Sequence, residues 1–249
     1  MPTTPHPAAR TSAADAARRP APAPPRTGAL ALLSGTLLGL FGLLLTLVVL
    51  RWGPLLSLDT SLAQRLHRTA VAAPAWTHRN RVLSDWVWDP WTMRALLAVA
   101  VGLLLRRGER LLAVWVAATA LLGTGLQQAV KALVGRARPV WPDPVDSASF
   151  AAFPSGHALS AMVAGALVLW LLRLRGVPPG WRWAAGAVVA VSVVGVGFTR
   201  VFLGVHWPSD VVGGWLLGGA LVAGSVAAYH AYGATGVRPG GVQRTGWRS

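Results

Sequence analysis

Residues 199–210, TRVFLGVHWPSD, stand where one long apolar run ends and the next begins. Arg200, His206 and Asp210 therefore lie at the border of the apolar parts of the chain, where an ionisable group is expensive unless it is used. His206 and Asp210 are four residues apart. With Pro208 opening the following helix they share one helix face, roughly one above the other. A carboxylate placed there can hold an imidazole by one nitrogen and leave the other free to attack. Two earlier stretches, KALVGRARP (131–139) and FPSGH (153–157), also sit at the ends of apolar runs.

Composition decides the solvent in which such a chain folds. Hydrophobic residues make up 53% and charged residues 12% of the sequence, and the mean hydropathy is +0.49, which describes a membrane protein. The net charge of +15 would suit nucleic acid only with a basic, aromatic-rich soluble face. Here the arginines cluster between apolar runs, so no nucleic-acid partner is expected. The absence of cysteine removes disulfides, thiolate catalysis and zinc–thiolate sites. Lys131 is the only lysine among many arginines, which suggests a place that wants an ammonium in particular.

The domain reading is a disordered basic Pro/Ala-rich tail over 1–27, a six-span membrane domain over 28–232, and a flexible basic tail over 233–249. The first run, Ala29 to Leu50, spans a bilayer without an evident cleavage site, so it reads as a transmembrane helix rather than a signal peptide. Five further spans run approximately from Trp88 to Leu105, Leu111 to Val134, Pro154 to Leu172, Trp183 to Arg200 and Trp207 to Tyr232. Between the first two, Leu58, Leu62 and Leu66 recur at helical spacing against Gln64, Arg65 and Arg68, the pattern of an interfacial helix. The predicted fold is thus an all-α polytopic bundle of six transmembrane helices with an interfacial helix after the first. Arginine clusters in both tails and in the second and fourth connections place those segments in the cytoplasm. Lys131, Arg138, His157, Arg200, His206 and Asp210 then all arrive at the outer face.

Cations gathered at one membrane face call for a multiply charged anion, and Lys131, Arg136, Arg138 and Arg200 suit phosphate. Pro154, Ser155 and Gly156 open a span where unpaired N–H groups also favour an anion. Two histidines supply a nucleophile and a proton donor for hydrolysis. Taken singly, Arg136 and Arg138 would be interfacial anchors and Ser155 a helix cap. His67, His78 and His230 lack charged partners at useful spacing and read as packing residues. The glycines at 213, 214, 218 and 219 read as a close-packing face of the last span, and the tryptophans near span ends as an interfacial belt. A metal held by the two histidines and Asp210 is the main chemical rival, disfavoured by the surrounding cations. Ser155 lacks the nucleophile-elbow pattern of a serine hydrolase.

Lys131 with Arg138-Pro139, then Pro154-Ser155-Gly156-His157, then Arg200, His206 and Asp210 resemble the three-part signature of the type 2 phosphatidic acid phosphatase superfamily, which also includes vanadium haloperoxidase-like proteins. Thr199 stands where that family usually has serine. The resemblance implies a lipid phosphate or lipid diphosphate phosphatase needing no cofactor or metal, with lipid phosphate and membrane lipids as its partners. It assigns His206 as the nucleophile forming a phosphohistidine, Asp210 as its orienting carboxylate and His157 as the proton donor and later base. Lys131, Arg138, Ser155, Gly156 and Arg200 would bind the phosphoryl oxygens, with Arg136 an electrostatic helper outside the signature. A lipid phosphotransferase, or a non-enzymatic lipid-phosphate transporter or binding protein, remains the alternative. Oligomeric state and the identity of the lipid stay open. A bacterial plasma membrane, both termini cytoplasmic and the active site outside, is the expected setting.

Overall fold

The computed structural model describes residues 27–234. The two expected tails lie outside these residues, apart from Thr27, Gly233 and Ala234, which belong to helices. The regular elements are α1 (Thr27–Val49), α2 (Gly53–Ala72), α3 (Pro74–Val82), α4 (Pro90–Arg106), α5 (Arg110–Val134), α6 (Gly156–Leu174), α7 (Pro179–Phe202) and α8 (Pro208–Ala234), with a π turn, Leu83–Val87, joining α3 to α4. Among the described residues six helical stretches are long and apolar enough to cross a membrane: α1, the run Pro74–Arg106, α5, α6, α7 and Pro208–Gly233 of α8. The chain is an all-helical integral membrane protein, as its apolar runs predict.

α6 is the hub, packed against α4, α5, α7 and α8, while α1 lies along α8. The core between them includes Phe41, Leu104, Val116, Phe153, Leu167 and Leu217. Large apolar side chains on the outside, among them Leu32, Leu121, Val99 and Val191, remain exposed, as a lipid-facing surface requires. The glycines of α8 serve the bundle itself: a Cβ on Gly214 would lie 2.6 Å from the Ser155 carbonyl oxygen, and one on Gly218 3.2 Å from that of Leu159. α8 can approach the start of α6 only without side chains at these points.

Two features extend the expectations. α4 begins at Pro90, close to the expected start of the second span, but a separate helix, α3, and the π turn precede it, so that the apolar candidate stretch extends from Pro74 to Arg106. Thr77, His78, Arg79, Asn80 and Arg81 make α3 too polar for a hydropathy reading to find. In α2, Leu58 and Leu62 stay exposed, whereas the strip turned to the protein is Asp59, Ala63, His67 and Ala70. A polar pair thus faces the bundle interior.

The connections separate into two ends. At one, Arg175 of the α6–α7 turn makes a two-pronged ion pair of 2.6 and 2.7 Å with Glu109 of the α4–α5 turn. At the other, residues 135–155 pack against the α7–α8 turn and against α3, through Trp141 Nε1 to the Gly204 carbonyl (2.8 Å) and Arg81 to the Val145 carbonyl. The site assembles at this second end.

Candidate active site

α7 ends at Phe202, and the chain reverses within a few residues. The Leu203 N–H donates to the Thr199 carbonyl (2.8 Å), and the N–H groups of Val205 and His206 both reach that of Arg200 (3.2 Å each). The reversal passes through Gly204 at φ 71°, a conformation that favours glycine. Trp141, which stacks on His67 at 4.2 Å between centroids, covers this turn. His67 is therefore a packing residue. His230 is another, accepting from Trp170 Nε1 at 3.3 Å.

Pro208 opens α8, and Asp210 in its first turn folds back so that Oδ2 accepts from the Trp207 N–H at 2.8 Å. This is the reach-back half of a capping box, with aspartate in place of glutamate. The same oxygen faces His206 Nδ1 at 3.3 Å. On the opposite edge of the ring, Arg138 Nη1 lies 3.1 Å from Nε2. A guanidinium only donates, so Nε2 presents its lone pair and Nδ1 carries the proton toward Asp210. His206 is buried, and burial together with the charges of Arg138, Arg200 and Lys131 holds its pKa well below the ordinary 6.5. The imidazole is accordingly neutral, with its lone pair directed at Arg138 among cations.

The cations are held by backbone and by acids. Lys131, in the last turn of α5, donates to the Ala151 carbonyl at 2.6 Å. Arg138 donates to the carbonyls of Ser149, Phe150 and Val205. Arg200 Nη1 donates to Ser84 Oγ at 2.8 Å and has Asp85 and Asp146 at 3.8 and 4.0 Å. Its Nε is buried without any partner. A buried donor left empty beside other cations is a place for an acceptor the protein does not itself supply.

Ser155 is the N-cap of α6; its Oγ accepts weakly from the Ala158 N–H at 3.5 Å, and its own N–H donates to the Asp210 carbonyl at 2.9 Å. That bond ties the PSGH stretch to the His206–Asp210 turn. Gly156 is the first residue of α6, close to the Gln127 side chain. His157 follows, half-buried, with Nε2 3.8 Å from Asp89 Oδ2. Asp89 in turn caps α4 by accepting from the Trp91 N–H at 2.7 Å. Among the described residues no group of three histidine, cysteine or acidic side chains could hold a metal ion.

The model of the PAP2 superfamily matches residues 112–233, which contain all three stretches. Over 136 residues the chain is 36% identical to decaprenylphosphoryl-5-phosphoribose phosphatase of Mycobacterium tuberculosis, a match covering 53% of this chain and 68% of that protein. The chain belongs to the PAP2 superfamily. Undecaprenyl-diphosphatase of Sulfolobus acidocaldarius is 44% identical over 77 residues, but the match spans only 31% of either protein. Phosphatidylglycerophosphatase B of Bacillus subtilis is 34% identical over 95 residues, 37% of this chain and 46% of that one. A solved transmembrane PAP2-type phosphatidylglycerolphosphate phosphatase from Bacillus subtilis shares the fold, with a TM-score of 0.62 over 82% of this chain and 98% of its own at 19% identity.

Several polar residues of this PAP2 site lie outside the three stretches. Asp59, Ser84, Asp85 and Asp89 all precede the matched region, and Asp146 lies in the connection between α5 and α6. Arg136, left in the sequence as a general helper, has a defined place: it bridges Asp59 at 2.7 Å and Asp210 at 2.6 Å. Nothing local marks Asp59. Its partners, Arg136 and Ser209, are 77 and 150 residues away in sequence.

Proposed function

We propose that this protein is a membrane phosphatase that hydrolyses a lipid phosphate or lipid diphosphate through a phosphohistidine, without a metal, at the extracytoplasmic face of a bacterial plasma membrane. The observation that carries the reading is the pairing at one point of an unprotonated His206 Nε2 with three cations, one of which, Arg200, has a buried donor unfilled. Phosphoryl transfer asks a protein for positioning and charge stabilisation more than for covalent help. Lys131, Arg138, Arg200, the Ser155 hydroxyl and the Gly156 N–H would take the phosphoryl oxygens. His206 Nε2 would form the bond to phosphorus as the bond to the leaving oxygen breaks, His157 supplying that oxygen with a proton. Water would then attack phosphorus, its proton passing to His157 and the N–P electron pair returning to Nε2.

The lipid character of the substrate is supported by the relatives' names and by a cavity of about 550 Å³ beside Arg138. Val48, Val49, Leu56, Leu133 and Val134 give it an apolar wall, Arg51 and Arg138 supply cations, and the Arg136–Asp59 ion pair also lines it. That pairing suits an anionic head and a hydrocarbon tail. The arginines of the two tails and of the α4–α5 and α6–α7 connections support the outward orientation.

The test is release of phosphate by the purified protein in detergent from phosphatidate, phosphatidylglycerol phosphate, undecaprenyl diphosphate and decaprenylphosphoryl-5-phosphoribose. At least one should be hydrolysed in the presence of EDTA and blocked by vanadate, which mimics the phosphoryl group. Activity lost to EDTA and restored by a divalent cation would replace this mechanism by a metal-assisted one, and turnover of none of the four would sink the phosphatase reading.

A further inference from the structure

The buried acid Asp59 on α2 takes no part in the mechanism above, yet it belongs to a polar chain that reaches His206. It is 1% exposed. Oδ1 accepts from the Ser209 N–H at 2.9 Å, and Oδ2 accepts from Ser209 Oγ at 2.5 Å and from Arg136 Nη2 at 2.7 Å. Arg136 Nη1 donates onward to Ser209 Oγ at 2.7 Å and to Asp210 Oδ1 at 2.6 Å. Asp210 Oδ2 then faces His206 Nδ1. The path runs unbroken from Asp59 through Arg136 and Asp210 to the imidazole.

We propose that Asp59 is a positioning residue for phosphoryl transfer, one that shares the charge of Arg136 so that Asp210 keeps a net negative field on the Nδ1 side of His206. The proposal rests on His206 being the nucleophile. Arg136 alone would neutralise Asp210, leaving zero net charge opposite a ring that becomes positive as Nε2 bonds to phosphorus. With Asp59 the group of three sums to one negative charge, as that ring requires. In a buried site each such charge acts with little solvent screening. The arrangement also fixes geometry, because the forked guanidinium occupies Oδ1 and leaves Oδ2 for the ring.

The plainer alternative is that Asp59 only pins α2 to the first turn of α8. Asp59→Asn separates the two, since the amide oxygen can still accept from the Ser209 N–H while the charge is gone. We expect kcat to fall about tenfold, the size of a typical coupling in a buried network, with KM nearly unchanged and phosphohistidine formation slowed in quenched labelling. Asp59→Asn/Arg136→Gln removes both charges and returns the net negative charge to Asp210, so it should recover much of the loss. A purely structural contact also predicts some recovery, since it removes an unpaired buried charge, but there kcat should follow the melting temperature, whereas here kcat should recover without a matching gain in stability. Arg136→Lys keeps the charge without the fork and should also lower kcat, whether or not Asp59→Asn folds; folding is checked by thermal unfolding in detergent. Wild-type kcat in both Asp59→Asn and Arg136→Lys, or a double variant worse than either single one, would overturn the proposal. A wild-type protein that hydrolyses lipid phosphate without any labelled histidine would instead defeat the phosphohistidine reading and leave this comparison of kcat values standing.

Discussion

At the scale of single residues, the two histidines differ in burial and in partners, and their substitution should separate them. His206 has both ring nitrogens engaged, by Asp210 and by Arg138, whereas half-buried His157 lies 3.8 Å from Asp89. With a good leaving group such as nitrophenyl phosphate, attack needs little acid assistance while water attack still needs a base. His157→Ala should therefore accumulate acid-labile phosphohistidine, and His206→Ala should form none. Label on the His206→Ala protein would force the roles to be withdrawn. The burial of His206 also predicts a pH dependence of stability. Its folded pKa is depressed below 6.5, so between the two values the unfolded chain binds the extra proton. Stability from this group is complete above the unfolded value and declines as pH falls toward the folded one, by up to about 2 kcal/mol between pH 6.5 and 5. The drop in melting temperature from pH 7 to pH 5 should be smaller in His206→Asn than in the wild type. Equal drops would mean that His206 is not held neutral.

At the scale of elements, the α6–α8 contact decides whether the site forms, because the Ser155 N–H bonds to the Asp210 carbonyl across it. Gly214→Ala puts a methyl group within 2.6 Å of the Ser155 carbonyl oxygen and 3.0 Å of the Ala158 Cβ, so two backbones must part. The expected cost is about 1–3 kcal/mol, as for other overpacked cores, read as a lower melting temperature in detergent with activity falling further than stability. A variant as stable and as active as the wild type would show that the contact has slack. These elements also show what a sequence can disclose. His206, Asp210, Lys131 and Arg138 were legible because each stands at the end of an apolar run, where a charge conflicts with its neighbours. Asp59 was not, because α2 is amphipathic and an acid on such a helix conflicts with nothing; only the fold brings it to Arg136 and Ser209. The helix α3 was hidden for a related reason, since its polar stretch 77–81 is one that hydropathy does not register.

At the scale of the whole molecule, the bundle has two chemically different ends, and the difference predicts its orientation. One end carries the three stretches, with Asp85, Asp89 and Asp146 set near Arg200 and His157. The other carries Arg106, Arg107, Arg110, Arg173, Arg175 and Arg182, with Glu109 their lone acid in those connections. Positive charge in short connections is retained on the cytoplasmic side, while acidic residues contribute little to the choice. The Arg-rich end should therefore be inside and the end bearing His206 outside, where a substrate head group would be met in the outer leaflet. Arg51, Arg65, Arg68, Arg79, Arg81, Arg136 and Arg138 lie toward the outer end, so the bias rests on counting the arginines of the two tails with those of the Arg-rich end; Arg81 is engaged by the Val145 carbonyl. Gly108, in the α4–α5 turn, and Asp143, in the α5–α6 connection, sample the two ends. Phosphatase and fluorescent-protein reporters fused after each should give opposite patterns, Gly108 inside and Asp143 outside. Matching patterns at the two sites would break the six-span arrangement, and opposite patterns in the reversed sense would move the site to the cytoplasmic face, where the same chemistry would have to draw its lipid from the inner leaflet.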